Sequence, residues 1–512
     1  MTLGAAFADT VARRRSATAL VYGGAQYSFA EVGARAVAGA GALRQRGVRP
    51  GDRVAVGLRN SPELVVNVLG VLHAGAVLVP VNPAYTADEV TYIVRDAGAS
   101  LAIVESEHAI MLAQAHLPQL SVIVTALDGI AAAAPAAVAA DPEAPALIVY
   151  TSGTTGRPKG AMLSHRALLS NLITVVQAWR WTENDRLLLT LPCFHLHGLG
   201  LGIIASFLAG SSVVLRQRFV AEEVCADLEE YRVTMFFGVP TMYNRLLAVP
   251  DALSIARDLR HMRLWVSGSA PLPIATFERF RQRFGVEILE RFGMTECGFP
   301  LATPYEGPRR AGTVGLPLPG ISVRVIDPEA ADAGHVTDVG EGFEGELAIR
   351  GPNLFSGYWN RPEDTRRALV NGYLRSGDLA VRQPDGAFRI LGRMSVDIIK
   401  TRGFKVSAVE IEDCLQRHPQ VQEVAVVGLP DSDQGERVVA AITPAAGVTL
   451  SAEDIRSFAR QHLAPHKVPS RVVFIEEIPR AGPGKFKKKE LIRRLMGAFG
   501  GAPGGTGLRD GS

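Results

Sequence analysis

The 512-residue sequence has few cysteines, little net charge and no long apolar segment near its start. Its four cysteines, Cys193, Cys225, Cys297 and Cys414, form no CxxC pair. This spacing argues against a zinc site or a disulfide framework and predicts a reducing, cytoplasmic location. A net charge of +3 gives no reason to expect a nucleic acid or an anionic membrane as a partner. The N-terminal residues lack the apolar core of a signal peptide, so none is predicted.

The longest apolar stretch, Leu199 to Leu215, approaches the length of a membrane span. Gly210, Ser211 and Ser212 interrupt it near its end. The stretch therefore predicts a buried helix, a turn and a strand, and no stable membrane insertion.

The chain is too long for one simple core, so two or more domains are expected. Apolar strands alternate with longer amphipathic segments from Leu20 to Val124, as in the strand at residues 53–58 and the helix at residues 61–73. This alternation predicts an α/β fold with parallel sheets. After Gly312, short strands alternate with Gly/Pro turns, which predicts a small β-rich subdomain. A compact α+β unit is expected to follow Arg393.

A glycine- and hydroxyl-rich loop follows the buried strand that ends near Tyr150. Glycines bring a ligand close to backbone N–H groups, and hydroxyls and cations add donors, so the loop suits a polyphosphate. The alternative is a surface turn. The loop is not a Walker A motif, because Pro158 stands where the second glycine is required.

The run from Tyr150 to Gly160 resembles the phosphate loop of the ANL superfamily of adenylate-forming enzymes. Four further stretches resemble later motifs of that superfamily in the same order: residues 289–296, 372–379, 392–406 and 479–486. The resemblance implies that Phe292 stacks on adenine, Thr295 meets phosphate and Glu296 binds Mg²⁺. It also implies that Asp378 and Arg393 hold the ribose. The residues predicted to bind ATP or CoA are Thr151, Ser152, Gly153, Thr154, Thr155, Gly156, Lys159, Ser269, Ala270, Pro271, Glu290, Arg291, Phe292, Gly293, Met294, Asp378, Arg393 and Gly403.

The resemblance implies a domain division as well. An N-terminal AMP-binding domain would cover residues 1–392, a hinge 393–396 and a small mobile C-terminal domain 397–499. Ser395 falls on the hinge position, where many relatives carry Asp or Lys. The glycine-rich residues 500–512 are predicted to be disordered.

The activity implied is that of an acid–CoA ligase, which forms an acyl-adenylate from an acid and Mg·ATP and then transfers the acyl group to CoA. Lys485 would serve the first step, and Thr295 and Glu296 are the other predicted catalytic residues. The alternatives are another adenylate-forming enzyme and a non-catalytic nucleotide-binding or scaffold protein. A monomer or homodimer is expected. Lys487 to Lys489 are predicted to form a solvated helix face, with contact to CoA as the alternative.

Three segments, at residues 191–199, 238–247 and 392–400, look most like those of malonyl-CoA synthetases. A dicarboxylate needs a cation for its second carboxylate, because an unpaired buried charge is costly. Arg245 is the first candidate, followed by Arg283 and His197. The residues predicted to bind the acid are His195, His197, Gly238 and Arg245. The alternatives are that Arg245 is a surface cation and that the acid is a short or medium fatty acid.

Overall fold

The computed structural model describes residues 1–115, 117, 120–124, 141–151, 158–250, 259–401, 404–431, 434–482, 485–499 and 509–510. Within these ranges the side chains of residues 122–124, 405, 481–482, 485, 499 and 509–510 are not described. The fold is α/β, with parallel sheets in the N-terminal part and a separate α+β unit at the C-terminal end. The predicted fold class is confirmed.

A seven-stranded sheet carries the phosphate loop. Five of its strands run parallel, and described helices connect four of them across the faces of the sheet. Ser61 caps one of these helices by accepting a hydrogen bond from the Leu64 N–H, as its position before Pro62 predicts. In sheet order the strands are Gly357–Tyr358, Lys159–Ser164, Pro145–Thr151, Val77–Pro80, Arg53–Gly57, Leu101–Val104 and Ser121–Val124. The helices are Phe29–Gln45, Pro62–His73, Ala87–Ala97 and Ser106–Gln114.

A nine-stranded sheet contains the strand that carries the motif at residues 289–296. In sheet order its strands are Leu316–Pro317, Gly298–Ala302, Leu289–Met294, Leu264–Ser267, Met235–Gly238, Arg186–Leu189, Ser212–Leu215, Thr18–Tyr22 and Ala25–Ser28. The six from Leu289–Met294 to Thr18–Tyr22 run parallel. Its helices are Leu3–Arg14, His165–Ala178, Ala221–Glu230, Pro240–Ala248 and Ile274–Phe284.

The apolar stretch that approached membrane length is a buried helix, a turn and a strand, as predicted. It begins as a π-helix, His197–Ala205, continues as the α-helix Ser206–Ala209 and ends in the strand Ser212–Leu215. Among the described helices, none is long and apolar enough to cross a membrane.

The β-rich subdomain predicted after Gly312 is a five-stranded antiparallel sheet. Its strands are Ser322–Ile326, Glu344–Arg350, Leu369–Val370, Tyr373–Arg382 and Phe388–Arg393, with the helices Pro328–Asp332 and Pro362–Ala368 between them.

The C-terminal unit has its own core, because two clusters of buried apolar side chains lie wholly within residues 399–495. Its main sheet contains Phe404–Ser407, Ile398–Thr401, Gly435–Pro444, Arg471–Phe474, Arg509–Asp510 and Val421–Asp431. A hairpin of Arg480–Gly482 and Lys485–Phe486 stands beside it. The helices are Ala408–Leu415, Ala452–His462, Lys488–Phe499 and the 3₁₀ turn Pro465–Lys467.

Two predictions for this unit are corrected. Arg509 and Asp510, placed in a disordered tail by composition, pair with the strand Arg471–Phe474, whose edge offers unpaired backbone groups; residues 500–508 and 511–512 lie outside the described residues. Lys488 does not lie on a solvated helix face. It is buried, whereas Lys487 and Lys489 are exposed as predicted.

Candidate functional site

A cavity of about 2180 Å³ lies where the carboxyl ends of the parallel strands meet the C-terminal unit. Such an edge is the usual place for a ligand in α/β sheets. Of the residues singled out from the sequence, the following line it: Thr151, Lys159, His195, His197, Ser269, Ala270, Pro271, Glu290, Arg291, Phe292, Gly293, Met294, Thr295, Glu296, Asp378 and Arg393. The motifs that lie far apart in sequence are therefore brought together around one space.

The phosphate-loop end of the cavity is formed by two adjacent antiparallel strands, Pro145–Thr151 and Lys159–Ser164. Thr151 ends the first strand and Lys159 begins the second. The predicted ligands Ser152, Gly153, Thr154, Thr155 and Gly156 lie outside the described residues, as does Gly403. Lys159 Nζ lies 2.8 Å from Asp364 Oδ1, an ion pair that the sequence analysis did not foresee.

Glu296, the predicted Mg²⁺ ligand, is buried beside this end of the cavity. The Tyr358 hydroxyl donates a hydrogen bond of 2.8 Å to Glu296 Oε1. Burial, followed by the negative charge of Glu296, raises the pKa of Tyr358, so this hydroxyl keeps its proton. The described residues contain no cluster of three or more side chains that would bind a metal without further ligands. A single carboxylate suits Mg²⁺ that takes most of its oxygens from phosphates and water.

The two residues predicted to hold ribose face each other. Asp378 and Arg393 are direct cross-strand partners in the antiparallel sheet, and Arg393 Nε lies 2.9 Å from Asp378 Oδ1. Arg393 also donates to the Ser376 carbonyl at 2.6 Å. This places an ordered carboxylate at the cavity wall where the β-rich subdomain ends.

Glu290 is buried at the cavity wall next to the predicted adenine-stacking residue Phe292. Its Oε1 accepts a hydrogen bond from the Leu272 N–H at 2.9 Å, and its Oε2 has no hydrogen-bond partner among the described residues. Burial raises the pKa of Glu290 to about 8. The side chain is therefore mainly protonated at neutral pH, and it steadies the loop that contains Ala270 and Pro271.

Arg291, the next residue on the same strand, forms a different part of the wall. Its side chain is buried and packs over the Phe299 ring, 4.8 Å from the ring centroid. Arg291 Nη2 lies 3.4 Å from Ser269 Oγ, and His197 Nδ1 lies 3.1 Å from the same oxygen. Among the described residues Arg291 has no carboxylate partner, and Arg291 Nε and His197 Nε2 are buried without a hydrogen bond.

The electrostatics of this His197–Ser269–Arg291 cluster follow from its burial. Burial lowers the pKa of Arg291 to about 9, and no acidic group opposes that shift. Burial, with a further contribution from the Arg291 charge, lowers the pKa of His197 well below its ordinary value, so its imidazole is neutral. The cluster is a fixed positive charge beside a neutral imidazole, which suits an anion.

The structure does not bring two of the predicted acid-binding residues to the cavity. Arg245 lies on the exposed side of the helix Pro240–Ala248, opposite the buried Met242 and Leu246, and is not part of the cavity lining. Gly238 faces the core, where an added Cβ would approach the Phe236 ring to 3.0 Å. The interpretation of Arg245 and Gly238 as substrate contacts is therefore corrected.

The other candidate cation, Arg283, is also placed elsewhere. It donates to the Leu247 carbonyl and, at 2.6 Å, to the Val249 carbonyl, so it closes the end of a neighbouring helix. His195 is exposed at the cavity wall and packs against Phe194, 4.4 Å between ring centroids. Of the three proposed cations, only His197 lines the cavity as a buried residue.

The C-terminal unit contributes a buried ion-pair cluster to the same cavity. Lys488 Nζ lies 2.6 Å from Asp397 Oδ1 and 2.7 Å from Glu412 Oε1. Asp397 Oδ2 in turn accepts a hydrogen bond of 2.9 Å from the Arg393 N–H. These contacts connect the end of the β-rich subdomain to the C-terminal unit. The backbone of Lys485 lies in the short strand Lys485–Phe486, and its side chain lies outside the described set.

Two signals in the sequence identify residues that the motif comparison assigned differently. Side chains of successive residues in a strand point to opposite faces of the sheet. Glu290 and Arg291 are therefore expected to line different parts of the cavity. Apolar residues at 242, 243, 246 and 247 set the buried face of a helix and leave Arg245 outside it. Ser269 has a positive φ of 69°, which is unusual for a residue other than glycine, and no sequence pattern predicts it.

The family model described as "AMP-binding enzyme" matches residues 7–359, and that described as "AMP-binding enzyme C-terminal domain" matches residues 410–485. The chain belongs to the AMP-binding enzyme family. Within it the chain is an acyl-CoA synthetase of the ANL type, as the motifs predicted.

Its relatives include proteins with different named acids. A mitochondrial malonate–CoA ligase, ACSF3 of Mus musculus, is 37% identical, over 88% of this chain and 84% of the relative. A feruloyl-CoA synthase of Amycolatopsis sp is 35% identical, over 94% of this chain and 96% of the relative. The crystal structure of ATP-bound MatB from Rhodopseudomonas palustris superposes with a TM-score of 0.88 at 35% identity, covering 97% of this chain and 99% of the other.

Proposed function

We propose that this protein is an ATP-dependent, AMP-forming acid–CoA ligase for malonate or a closely related small dicarboxylate. The observation that carries the choice of acid is the buried guanidinium of Arg291, which lines the cavity without a carboxylate partner among the described residues. The alternatives are ligases for fatty acids or for aromatic acids such as the one named for the Amycolatopsis relative.

A dicarboxylate supplies what the Arg291 site lacks. A guanidinium held away from water is costly unless an anion accepts its N–H groups. With Ser269 donating to Nδ1, the neutral His197 keeps its proton on the buried Nε2, which can then donate to the same anion. One malonate carboxylate would pair with this cluster, and the other would remain for the reaction. A monocarboxylic acid would leave Arg291 without its anion.

The chemistry then proceeds in two steps. The reacting carboxylate attacks the α-phosphorus of ATP, and pyrophosphate leaves, which gives malonyl-AMP. The CoA thiol attacks the carbonyl carbon of this adenylate, and AMP leaves as the thioester forms. In the proposed arrangement Phe292 stacks on adenine, Glu290 meets its edge, and Asp378 with Arg393 holds the ribose.

Thr151, Lys159 and Thr295 would contact phosphates, together with loop residues 152–156. Glu296 would hold Mg²⁺, which supplies charge neutralisation for the polyphosphate when bound. Tyr358 fixes one oxygen of that carboxylate and leaves the other for the cation. Lys485 would stabilise the charge that moves between the acid and the α-phosphate.

The domain division is also part of the proposal: an N-terminal domain at 1–392, a hinge at 393–396 and a mobile domain at 397–499. It is supported by the separate apolar clusters of residues 399–495 and by the exposed position of Ser395 in the turn between two strands. A Ser395→Pro variant fixes φ at this turn. The variant should still form the acyl-adenylate but transfer the acyl group to CoA more slowly. Parental rates in both steps would show that Ser395 is not the hinge.

A cytoplasmic location and a monomeric or homodimeric state stay proposals as well. None of the four cysteines forms a disulfide, and all four are buried, which agrees with a reducing compartment. The relative named from Mus musculus is a mitochondrial protein.

A pyrophosphate-release assay with four acids tests the function. Malonate, butyrate, octanoate and a coumarate are each supplied with ATP and Mg²⁺, with and without CoA, and thioesters are identified by mass. Malonate should give the highest kcat/KM and malonyl-CoA as product. A preference for any of the other three would contradict the dicarboxylate proposal.

A Lys485→Ala variant tests the mechanism in the same assay. It should abolish adenylate formation and spare thioester formation from supplied acyl-AMP, because only the first step develops charge between the acid and the α-phosphate. Equal loss of both steps would contradict the assigned role.

A further inference from the structure

Lys159, the cation at the end of the phosphate loop, has an anionic partner within the protein itself. Its Nζ lies 2.8 Å from Asp364 Oδ1, and the two side chains are only 23% and 24% exposed. Both residues line the cavity. An ATP polyphosphate that uses Lys159 must therefore compete with this carboxylate for the ammonium group.

The backbone fixes this pair in position. The short strand Gly357–Tyr358 pairs with the strand that Lys159 begins, and the Trp359 N–H donates to the Gly160 carbonyl at 2.7 Å. Thr365 Oγ1, next to Asp364, accepts a hydrogen bond of 2.9 Å from the Tyr358 N–H. The helix Pro362–Ala368 is thereby attached to the strand that presents Lys159, so the contact is built into the fold.

The same segment reaches the predicted metal carboxylate. The Tyr358 ring lies under Lys159, with its centroid 5.6 Å from Nζ, and its hydroxyl donates to Glu296. Glu296, Tyr358, Lys159 and Asp364 form one connected row along the cavity wall. A change in the partner of Lys159 thus occurs beside the groups that would meet the polyphosphate.

We propose that Asp364 is a positioning residue that holds the Lys159 ammonium at the cavity wall and competes with the polyphosphate for it. The ion pair keeps the Lys159 ammonium oriented toward the cavity and weakens ATP binding. It also aids the departure of pyrophosphate, because Asp364 pairs with Lys159 again as the pyrophosphate leaves. This rests on the proposed function, because it requires ATP as a substrate. A partly exposed ion pair is worth enough to change an affinity by about two- to fivefold.

Asp364 lies in the first turn of its helix, where any carboxylate interacts favourably with the helix dipole. Glu363 lies in the same turn, is exposed and is not part of the cavity lining. Glu363→Gln therefore makes the same charge change at the same helix end without touching the Lys159 pair. It is a matched control for Asp364→Asn.

The experiment measures dissociation constants of ATP, pyrophosphate and AMP by calorimetry on the full chain with Mg²⁺ present. Asp364→Asn should lower the constants for ATP and pyrophosphate by about two- to fivefold and leave that for AMP unchanged. Glu363→Gln should leave all three at the parental values. Asp364→Glu, which keeps the carboxylate, should restore parental ATP binding.

Unchanged or weaker binding of ATP and pyrophosphate by a folded Asp364→Asn protein would overturn the proposal. An equal gain for AMP, or the same gain in Glu363→Gln, would also overturn it, because either marks a general field effect. Melting temperatures report folding, and Asp364→Ser takes over the test if the amide variant does not fold. Failure of the parent to bind ATP would instead overturn the proposed function.

Discussion

Two buried cations, Arg291 in the large sheet region and Lys488 in the C-terminal unit, line the same cavity with opposite electrostatics. Burial acts first on both, and it disfavours the charged form in each case. For Arg291 nothing opposes burial, and the pKa falls to about 9. For Lys488 the carboxylates of Glu412 and Asp397 outweigh burial, and the pKa rises. The opposite pKa shifts distinguish Lys488, whose charge is paired within the fold, from Arg291, whose charge is left for a ligand.

Lys159 stands between these extremes, with one carboxylate partner and partial exposure. The number of carboxylates on each cation gives an order of availability: none for Arg291, one for Lys159 and two for Lys488. Among the described residues this order predicts how readily each cation pairs with a substrate anion, and Arg291 is the most available. Removing Arg291 and Lys488 tests the two ends of this order, and changing Ser269 and His197 tests the surroundings of Arg291.

The largest effect is expected for Arg291→Leu. The malonate carboxylate would be buried without a partner, which costs about 3–5 kcal/mol, and kcat/KM for malonate should fall by roughly a hundredfold to several thousandfold. Butyrate, which has no second charge, should react as well as before or better. The measurement is pyrophosphate release with both acids.

Arg245→Leu is the control for this change, because it removes an arginine outside the cavity. It should leave the ratio of malonate to butyrate unaltered. Equal losses for both acids in Arg291→Leu would show that the residue supports the fold instead of the substrate.

The second prediction concerns stability and uses Lys488→Met, which keeps the length of the side chain. Asp397 and Glu412 would lose their common cation, and the free energy of unfolding should fall by about 3 kcal/mol. Arg291→Leu should cost little stability by the same measurement, since no partner is left unpaired. Urea unfolding at pH 7.5 gives both values, with exposed Lys489→Met as the control. Similar destabilisation by both changes would remove the contrast between the two cations.

A smaller effect is expected for Ser269→Gly. The hydroxyl bridges His197 and Arg291, and its loss should lower kcat/KM for malonate about fivefold, as for one hydrogen bond of about 1 kcal/mol. Glycine accepts the positive φ of 69° without strain, so the backbone is not disturbed. Butyrate in the same variant is the internal reference. A parallel fall for butyrate would assign Ser269 to the loop and not to the anion.

The sequence predicted the fold class and the gathering of motifs well, because both depend on local patterns. Strand tips such as those at Ser267 and Met294 lie at the ends of parallel strands, and the geometry of such sheets brings them together. Helix caps such as Ser61 are equally local. These features need only the residues within a few positions along the chain.

The partners of the cations could not be predicted in that way. Lys488 meets Asp397 and Glu412, and Lys159 meets Asp364, across long separations in sequence that no periodicity records. From the sequence, Arg245 is the first candidate cation for the acid and Arg291 is assigned to ATP binding, although the helical pattern around Arg245 favours an exposed position. Whether a charge is paired depends on the packing of several elements, and only the structure shows it.

The last predicted effect tests whether His197 stays neutral beside Arg291. Its folded pKa lies well below the value of 6.5 that applies to a hydrated imidazole, chiefly because of burial and then because of Arg291. As the pH falls below 6.5, the unfolded chain takes up a proton at this position and the folded chain does not. The unfolded state therefore binds more protons, and stability falls with pH by up to about 1.4 kcal/mol per unit.

His197→Gln removes the imidazole that takes up this proton in the unfolded chain. The free energy of unfolding of the variant should therefore rise relative to that of the parent by about 2 kcal/mol between pH 7.5 and pH 5. Urea midpoints at pH 7.5, 6.0 and 5.0 measure the difference, with the exposed His335→Gln as the control substitution. In an Arg291→Leu background the gain should shrink only slightly, because burial is the larger cause of the shift. A constant difference between His197→Gln and the parent at all three pH values would mean that His197 takes up its proton in the folded state. The cluster would then present two positive charges, and the neutral donor assigned to His197 would be wrong.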